Sequence, residues 1–106
     1  MDQGNGVRPM DVRDAEQVGE LESICFSEPW SLPLIVSGLN SRLDTYFVYE
    51  KDGKILGYSV VRILADEGEI QRIAVLPADP RQGIARKLMD AMMIFAKKRG
   101  VCAVAL

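Results

Sequence analysis

Ala15, Val18, Leu21, Ile24 and Cys25 recur at helical spacing, so residues 14–25 read as one amphipathic helix. Asp14 with Gln17 three positions later has the form of a capping box at its start. Phe26-Ser27-Glu28-Pro29-Trp30 ends the pattern, because proline restricts the residue before it. Ser31 is placed to cap a second, shorter helix that tolerates Pro33 in its first turn and runs to about Leu39.

Beyond Tyr46 the pattern changes. Tyr46-Phe47-Val48-Tyr49 is aromatic and β-branched, the composition of a strand, and Val7-Arg8-Pro9-Met10 is a short extended start ahead of the first helix. Lys51-Asp52-Gly53-Lys54 predicts a tight hairpin turn, since Asp-Gly supplies positive φ angles. Residues 55–64 return as a long strand, residues 65–68 form a second turn, and residues 69–76 form a third strand. Pro77 opens a loop to Gln82, a helix covers residues 83–99, Gly100 caps it, and an apolar run follows over residues 101–106. The order is β-α-α-β-β-β-α-β. It predicts an α/β fold with a mixed α+β sheet in which a parallel βαβ unit extends an antiparallel meander.

Composition narrows the chemistry. The chain has 106 residues, 48% of them hydrophobic, which bounds it to a single domain over residues 1–106. It has no histidine, which excludes Ser-His and Cys-His catalysis within this chain and leaves no expected metal site. Cys25 and Cys102 form no CxxC pair and read as buried thiols of a reducing cytoplasm. No apolar run approaches the ~20 residues that span a bilayer, and Met1-Asp2-Gln3-Gly4 does not open a signal peptide, so no membrane partner is expected.

Charge is unevenly spread. Residues 1–50 hold nine acidic and three basic side chains, and residues 51–106 hold six acidic and ten basic ones. The second half therefore suits an anionic ligand, or simply carries a solvated helix face. Its basic residues have no interleaved aromatic platform, so nucleic acid is not an expected partner.

One stretch carries more. Ile73-Ala74-Val75-Leu76-Pro77-Ala78-Asp79-Pro80-Arg81-Gln82-Gly83-Ile84-Ala85-Arg86 runs from a strand through a loop straight into a helix. The first N–H groups of a helix lack intrahelical partners and the helix dipole is positive there, so a phosphate is a natural occupant. A helix start after a proline-rich loop, with Gly83 present for the turn, explains the same residues without a ligand. Neither GxxxxGK[ST] nor GxGxxG is present.

Pro80-Arg81-Gln82-Gly83-Ile84-Ala85 resembles the [Q/R]-x-x-G-x-[G/A] loop of the GNAT superfamily of acetyl-coenzyme A-dependent N-acetyltransferases. Three further stretches are similar to its RimI-type branch, which acetylates the N-terminal alanine of a ribosomal protein. They are Cys25-Phe26-Ser27-Glu28-Pro29-Trp30-Ser31, Asp52-Gly53-Lys54-Ile55-Leu56-Gly57-Tyr58, and Asp66-Glu67-Gly68-Glu69-Ile70-Gln71-Arg72-Ile73-Ala74-Val75. The resemblance implies the GNAT fold and acetyl-coenzyme A as co-substrate. It implies that backbone groups of Ile73, Ala74 and Val75 hold the pantetheine arm, with the Val75 amide facing the thioester carbonyl. It assigns the pyrophosphate to Arg81, Gln82, Gly83, Ile84, Ala85 and Arg86, the acceptor pocket to Glu28, Pro29 and Trp30, and the general base to Glu69. Strand alternation puts Glu69, Gln71, Ile73 and Val75 on one face. A solvated strand end and a core anchor remain the competing readings of Glu69 and Trp30. Met89, Met92 and Met93 read as core packing.

Two departures from the family pattern stand out. Pro80 replaces the opening Arg or Gln of the loop and offers no N–H, and Asp79 brings a negative charge beside it. The family domain continues past the position of Leu106 with a helix and a hairpin, so the resemblance implies an incomplete domain, truncated after the strand predicted over residues 101–106. The uncharged run of residues 101–106 would then be a sheet edge, open to a homo-oligomer or a domain swap. The expected function is acetyl transfer to a free amine, first of all the N-terminal amine of a ribosomal protein. A non-catalytic module that binds coenzyme A or a partner, and an acetyltransferase for a small-molecule amine, are the alternatives.

Overall fold

The computed structural model describes residues 5–77 and 83–105. In chain order they form β1 (Gly6–Pro9), a 3₁₀ turn (Val12–Asp14), α1 (Ala15–Cys25), α2 (Leu32–Leu39), β2 (Asp44–Lys51), β3 (Lys54–Leu64), β4 (Glu67–Val75), α3 (Ile84–Lys98) and β5 (Ala103–Ala105). The strands make one sheet in the order β1-β2-β3-β4-β5. Every pairing is antiparallel except β4 with β5, which is parallel and joined through α3. The mixed sheet and the order of elements agree with the sequence pattern.

The sheet is covered on both faces. Val18 and Leu21 of α1 and Ile35 of α2 pack with Tyr46, Val48, Tyr58, Val60 and Ala74 on one side. Ile84, Leu88 and Met92 of α3 pack with Phe47, Tyr49 and Val61 on the other. This explains why Tyr46-Phe47-Val48-Tyr49 shows no apolar–polar alternation: successive side chains enter opposite cores. The hairpin between β2 and β3 turns on Asp52 and Gly53, both at positive φ (53° and 82°). α3 lies close to the sheet because β3 has a glycine beneath it. A Cβ on Gly57 would stand 3.0 Å from Ile84 Cγ2 and 3.1 Å from Leu88 Cδ1.

Several local expectations are corrected. The capping box belongs to Asp11 and Asp14, not to Asp14 and Gln17. Asp11 accepts from the Arg13 N–H, and Asp14 accepts from the Asp11 N–H at 2.8 Å. Asp14 is drawn into this role because Arg8 clamps its carboxylate through two bonds of 2.8 and 2.9 Å. The hydrogen bond to Arg8 holds the Asp14 carboxyl below its ordinary range, against the opposing effect of its burial. Gln17 instead accepts from the Ile55 N–H and ties α1 to β3.

The second turn is only Ala65 and Asp66, with Ala65 at a φ of 57°. Met92 is buried and Met89 half-buried, but Met93 is 45% exposed: the buried stripe of α3 runs through Ile84, Leu88, Met92 and Ala96, and Met93 lies one residue, about 100°, round the helix from it. Cys25 is half-buried and Cys102 exposed, rather than both buried. β5 is shorter than the apolar run that predicted it.

Candidate active site

β4 organises the site. The Leu76 N–H donates to the Leu56 carbonyl at 2.9 Å, which fixes the phase of the β3–β4 ladder. In the register Tyr58↔Ala74 and Val60↔Arg72, the backbone groups of Ala74 and Arg72 therefore point toward β3. Those of Ile73 and Val75 point the other way. On that outer side β5 pairs only with Glu67, Gly68 and Glu69. Past Glu69, no described strand covers the outer edge of β4. The Val75 carbonyl meets the Cys25 thiol at 3.5 Å, and burial pushes that thiol's pKa up. The Ile73 N–H and carbonyl and the Val75 N–H remain directed into the slot. This changes the expectation for Ala74, whose backbone is engaged by β3 and whose side chain is buried.

The start of α3 stands beside this edge. Gly83 is its N-cap residue in the left-handed region, with a φ of 62°. Among the described residues, a Cβ at Gly83 would meet nothing within 4 Å. The Lys87 N–H closes the first helical bond, to the Gly83 carbonyl at 3.1 Å, which leaves the N–H groups of Ile84, Ala85 and Arg86 without intrahelical partners. No acidic residue lies in this first turn. Ile84 is buried, whereas Ala85 and Arg86 are exposed. Donors without intrahelical partners, beside the cationic Arg86 and Lys87, fit an anionic group of the pyrophosphate type. Arg81 and Gln82, with Asp79 and Pro80, lie outside the described residues, as does Leu106.

The opposite face holds a network that the sequence pattern did not reveal. Glu22 of α1 is fully buried. Its carboxylate accepts from Arg72 Nε at 2.9 Å, from Arg72 Nη2 at 2.7 Å, from the Trp30 N–H at 2.7 Å and from the Tyr58 hydroxyl. Arg72 lies 3.7 Å from the ring centre of Phe26 and 4.5 Å from that of Trp30, and donates to the Glu28 carbonyl at 3.3 Å. Burial is the largest single influence on the Glu22 pKa and raises it. The bonds from Arg72, Tyr58 and Trp30 together outweigh it, so the carboxyl sits below its ordinary value. Burial, and then the bond to Glu22, push the Tyr58 hydroxyl far above its own. A carboxylate on the apolar stripe of α1, between Val18 and Cys25, was the available signal, because such a charge needs a buried partner.

Trp30 and Gln71 line one cavity of about 330 Å³ with Leu34, Tyr46, Val60 and Arg62. Arg62 is held by Asp44 through bonds of 2.8 and 3.1 Å. Glu69 is exposed and accepts a hydrogen bond from the Gln71 amide. The expected shared face of Glu69, Gln71, Ile73 and Val75 is corrected. The β3–β4 register slips between Val60 and Val61, so Gln71 is a bulged residue and the alternation changes phase there. Glu69, opposite Arg62, falls on the α2 side. Ile73 and Val75 pack on the α3 side. Glu69 and Gln71 thus lie beside the cavity while the outward amides lie along the strand edge. Pro29 lines a separate groove between α1 and α2, together with Trp30. Among the described residues no group of three or more His, Cys, Asp or Glu side chains is arranged to hold a metal ion, and no helix is long and apolar enough to cross a membrane.

Comparison with known proteins gives this geometry a context. The profile of the acetyltransferase (GNAT) family matches residues 15–106. A protein of Bacillus subtilis described as a putative ribosomal protein bS18-alanine N-acetyltransferase is 30% identical over 94 residues, covering 88% of this chain and 62% of its own length. The chain therefore spans less than two thirds of that relative. The crystal structure of the ribosomal-protein-S18-alanine N-acetyltransferase from Escherichia coli superposes with a TM-score of 0.79 at 25% identity, covering 90% of this chain and 61% of that one. An aminoglycoside 6'-N-acetyltransferase from Acinetobacter haemolyticus gives a TM-score of 0.80 at 18% identity, over 93% and 76% of the two chains, a likeness of fold.

Proposed function

The chain belongs to the acetyltransferase (GNAT) family, and from that premise we propose that it takes the acetyl group of acetyl-coenzyme A and transfers it to a free amine. The observation that carries this reading is the outer edge of β4, with Ile73 and Val75 directed into a slot that is uncovered among the described residues, beside the N–H groups of α3 that lack intrahelical partners. In this reading Ile73 and Val75 pair with the pantetheine amides, and Ile84, Ala85 and Arg86 take the pyrophosphate, joined by Arg81, Gln82 and Gly83.

When bound, acetyl-coenzyme A supplies a thioester whose C–S bond breaks as the amine nitrogen forms its C–N bond, the sulfur leaving as the thiol. The chain's own part is to orient and to move one proton. The Val75 N–H is an oxyanion donor for the thioester carbonyl. The amine enters from the α2 side, past Trp30 and Gln71, and loses its proton to Glu69 directly or through one water. An α-amino group has a pKa of about 7.7–8.0, so about a tenth of it is already free amine at neutral pH and a carboxylate is a sufficient base for the remainder.

The acceptor that fits best is the N-terminal α-amine of a protein, with ribosomal protein bS18 and its N-terminal alanine as the first candidate. The support is the similarity to the Bacillus subtilis and Escherichia coli proteins of that description. Titration calorimetry with acetyl-coenzyme A, followed by a thiol-release assay on an alanine-starting peptide, tests the reading. Binding with release supports it. Binding without release leaves a coenzyme A-binding module, and no binding removes both. The same assay with a small-molecule polyamine separates the acceptor classes.

A further inference from the structure

Arg72 touches neither the strand edge nor the start of α3, yet it joins β4 to the segment that walls the acceptor cavity. Its guanidinium is held on three sides. The Glu22 carboxylate grips it through two bonds, the Phe26 and Trp30 rings lie over it, and the Glu28 carbonyl accepts from Nη2. Glu22 completes the frame by accepting from the Trp30 N–H. All the residues of this frame outside α1 and the sheet lie in residues 26–30, the connection between α1 and α2, which pairs with no strand and is tied back to α1 by the Phe26 N–H on the Glu22 carbonyl. Arg72 also follows the bulged Gln71, whose side chain lines the cavity with Trp30, and precedes Ile73.

We propose that Arg72 is a positioning residue, which sets the place of Trp30 at the cavity wall and thereby tunes acceptor binding without contributing to donor binding. The inference rests on the acetyl-transfer reading for its kinetic consequence, but the placement of Trp30 can be read independently. Trp30 is the chain's single tryptophan, so its fluorescence reports this segment alone.

Removing one partner of a buried ion pair can unfold a small domain, so the test uses the neutral double variant E22Q/R72L beside R72K. E22Q/R72L removes both charges and the planar stack. R72K keeps the charge and loses the fork geometry that holds Glu22 bidentately. The expected result, in variants shown to be folded by a cooperative melt, is a rise of at least about twofold in acrylamide quenching of Trp30. Alongside it the KM for an alanine-starting peptide rises on the order of tenfold, while the dissociation constant for acetyl-coenzyme A stays within about twofold, a difference of one decade being about 1.4 kcal/mol. Folded variants whose Trp30 quenching matches the wild type would overturn the proposal, and so would equal losses of donor and acceptor binding. A wild type that releases no thiol overturns the acetyl-transfer reading instead, and the quenching comparison then decides the placement of Trp30 without it.

Discussion

Arg72 and Glu22 meet through two nitrogen–oxygen contacts, 2.7 and 2.9 Å long, with the Glu22 side chain fully buried and the Arg72 side chain 18% exposed. The two residues are fifty positions apart and come from a helix and a strand. Their pairing locks α1 against β4, the strand on which the candidate site depends. A buried pair of this kind adds little net stability over an apolar pair of equal volume, but breaking one side of it is costly. R72L alone is expected to destabilise the chain by about 3–5 kcal/mol, and the E22Q/R72L double variant by clearly less. Urea unfolding of the two variants and of E22Q measures the difference.

The same pair predicts an acid limit to stability. The Glu22 pKa lies below its ordinary value in the folded chain, so the unfolded chain binds the proton more tightly. The stabilisation is then fully present above the unfolded value of about 4.3 and is lost as the pH falls through the folded one. Asp14, held down by Arg8, acts in the same direction. Thermal melts between pH 7 and pH 3 should show the melting temperature falling below about pH 4.5. In E22Q that fall should be shallower, with Asp14 still contributing.

Gly57 is expected to be intolerant of a side chain. A Cβ there would sit 3.0 Å from the Ala74 carbonyl oxygen and 3.0 Å from Ile84 Cγ2. G57V should cost about 1–3 kcal/mol or more by overpacking. It should also weaken acetyl-coenzyme A binding, because lifting α3 from the sheet moves its first turn away from β4. Calorimetry on the folded variant checks the second effect.

Glu69 and Gly83 separate the two halves of the chemistry. E69Q should lower kcat by about 10²–10⁴, with acetyl-coenzyme A binding kept. G83V should do the reverse, because a β-branched residue at a φ of 62° is strained and the first turn of α3 would have to rearrange. A kcat and KM comparison with a separate donor-binding isotherm distinguishes the two patterns.

Much of the fold was legible in the sequence because its signals are local. The spacing of Val18 and Leu21, the Ser31 cap and the Asp52-Gly53 turn each specify their own structure within a few residues. The succession of β4 and α3 was legible through motif and order. The phase of β4 was not, because the bulge at Gln71 is set by its pairing with β3 and leaves no mark in the strand's composition. The Glu22–Arg72–Tyr58 network was also hidden: it joins three distant segments, and only the odd placement of a carboxylate on an apolar helix stripe hinted at it. Cys102 and Met93 were misplaced for a related reason, since apolar character alone does not say which side of an element is covered.

The central claim is acetyl transfer from acetyl-coenzyme A to an amine through the β4 edge. Its most direct test is mass spectrometry of an alanine-starting peptide after incubation with this chain and acetyl-coenzyme A. The account predicts one acetyl group on the α-amine, formed faster than in an enzyme-free control and lost on E69Q. A peptide that stays unmodified, under conditions where calorimetry shows acetyl-coenzyme A bound, would contradict it.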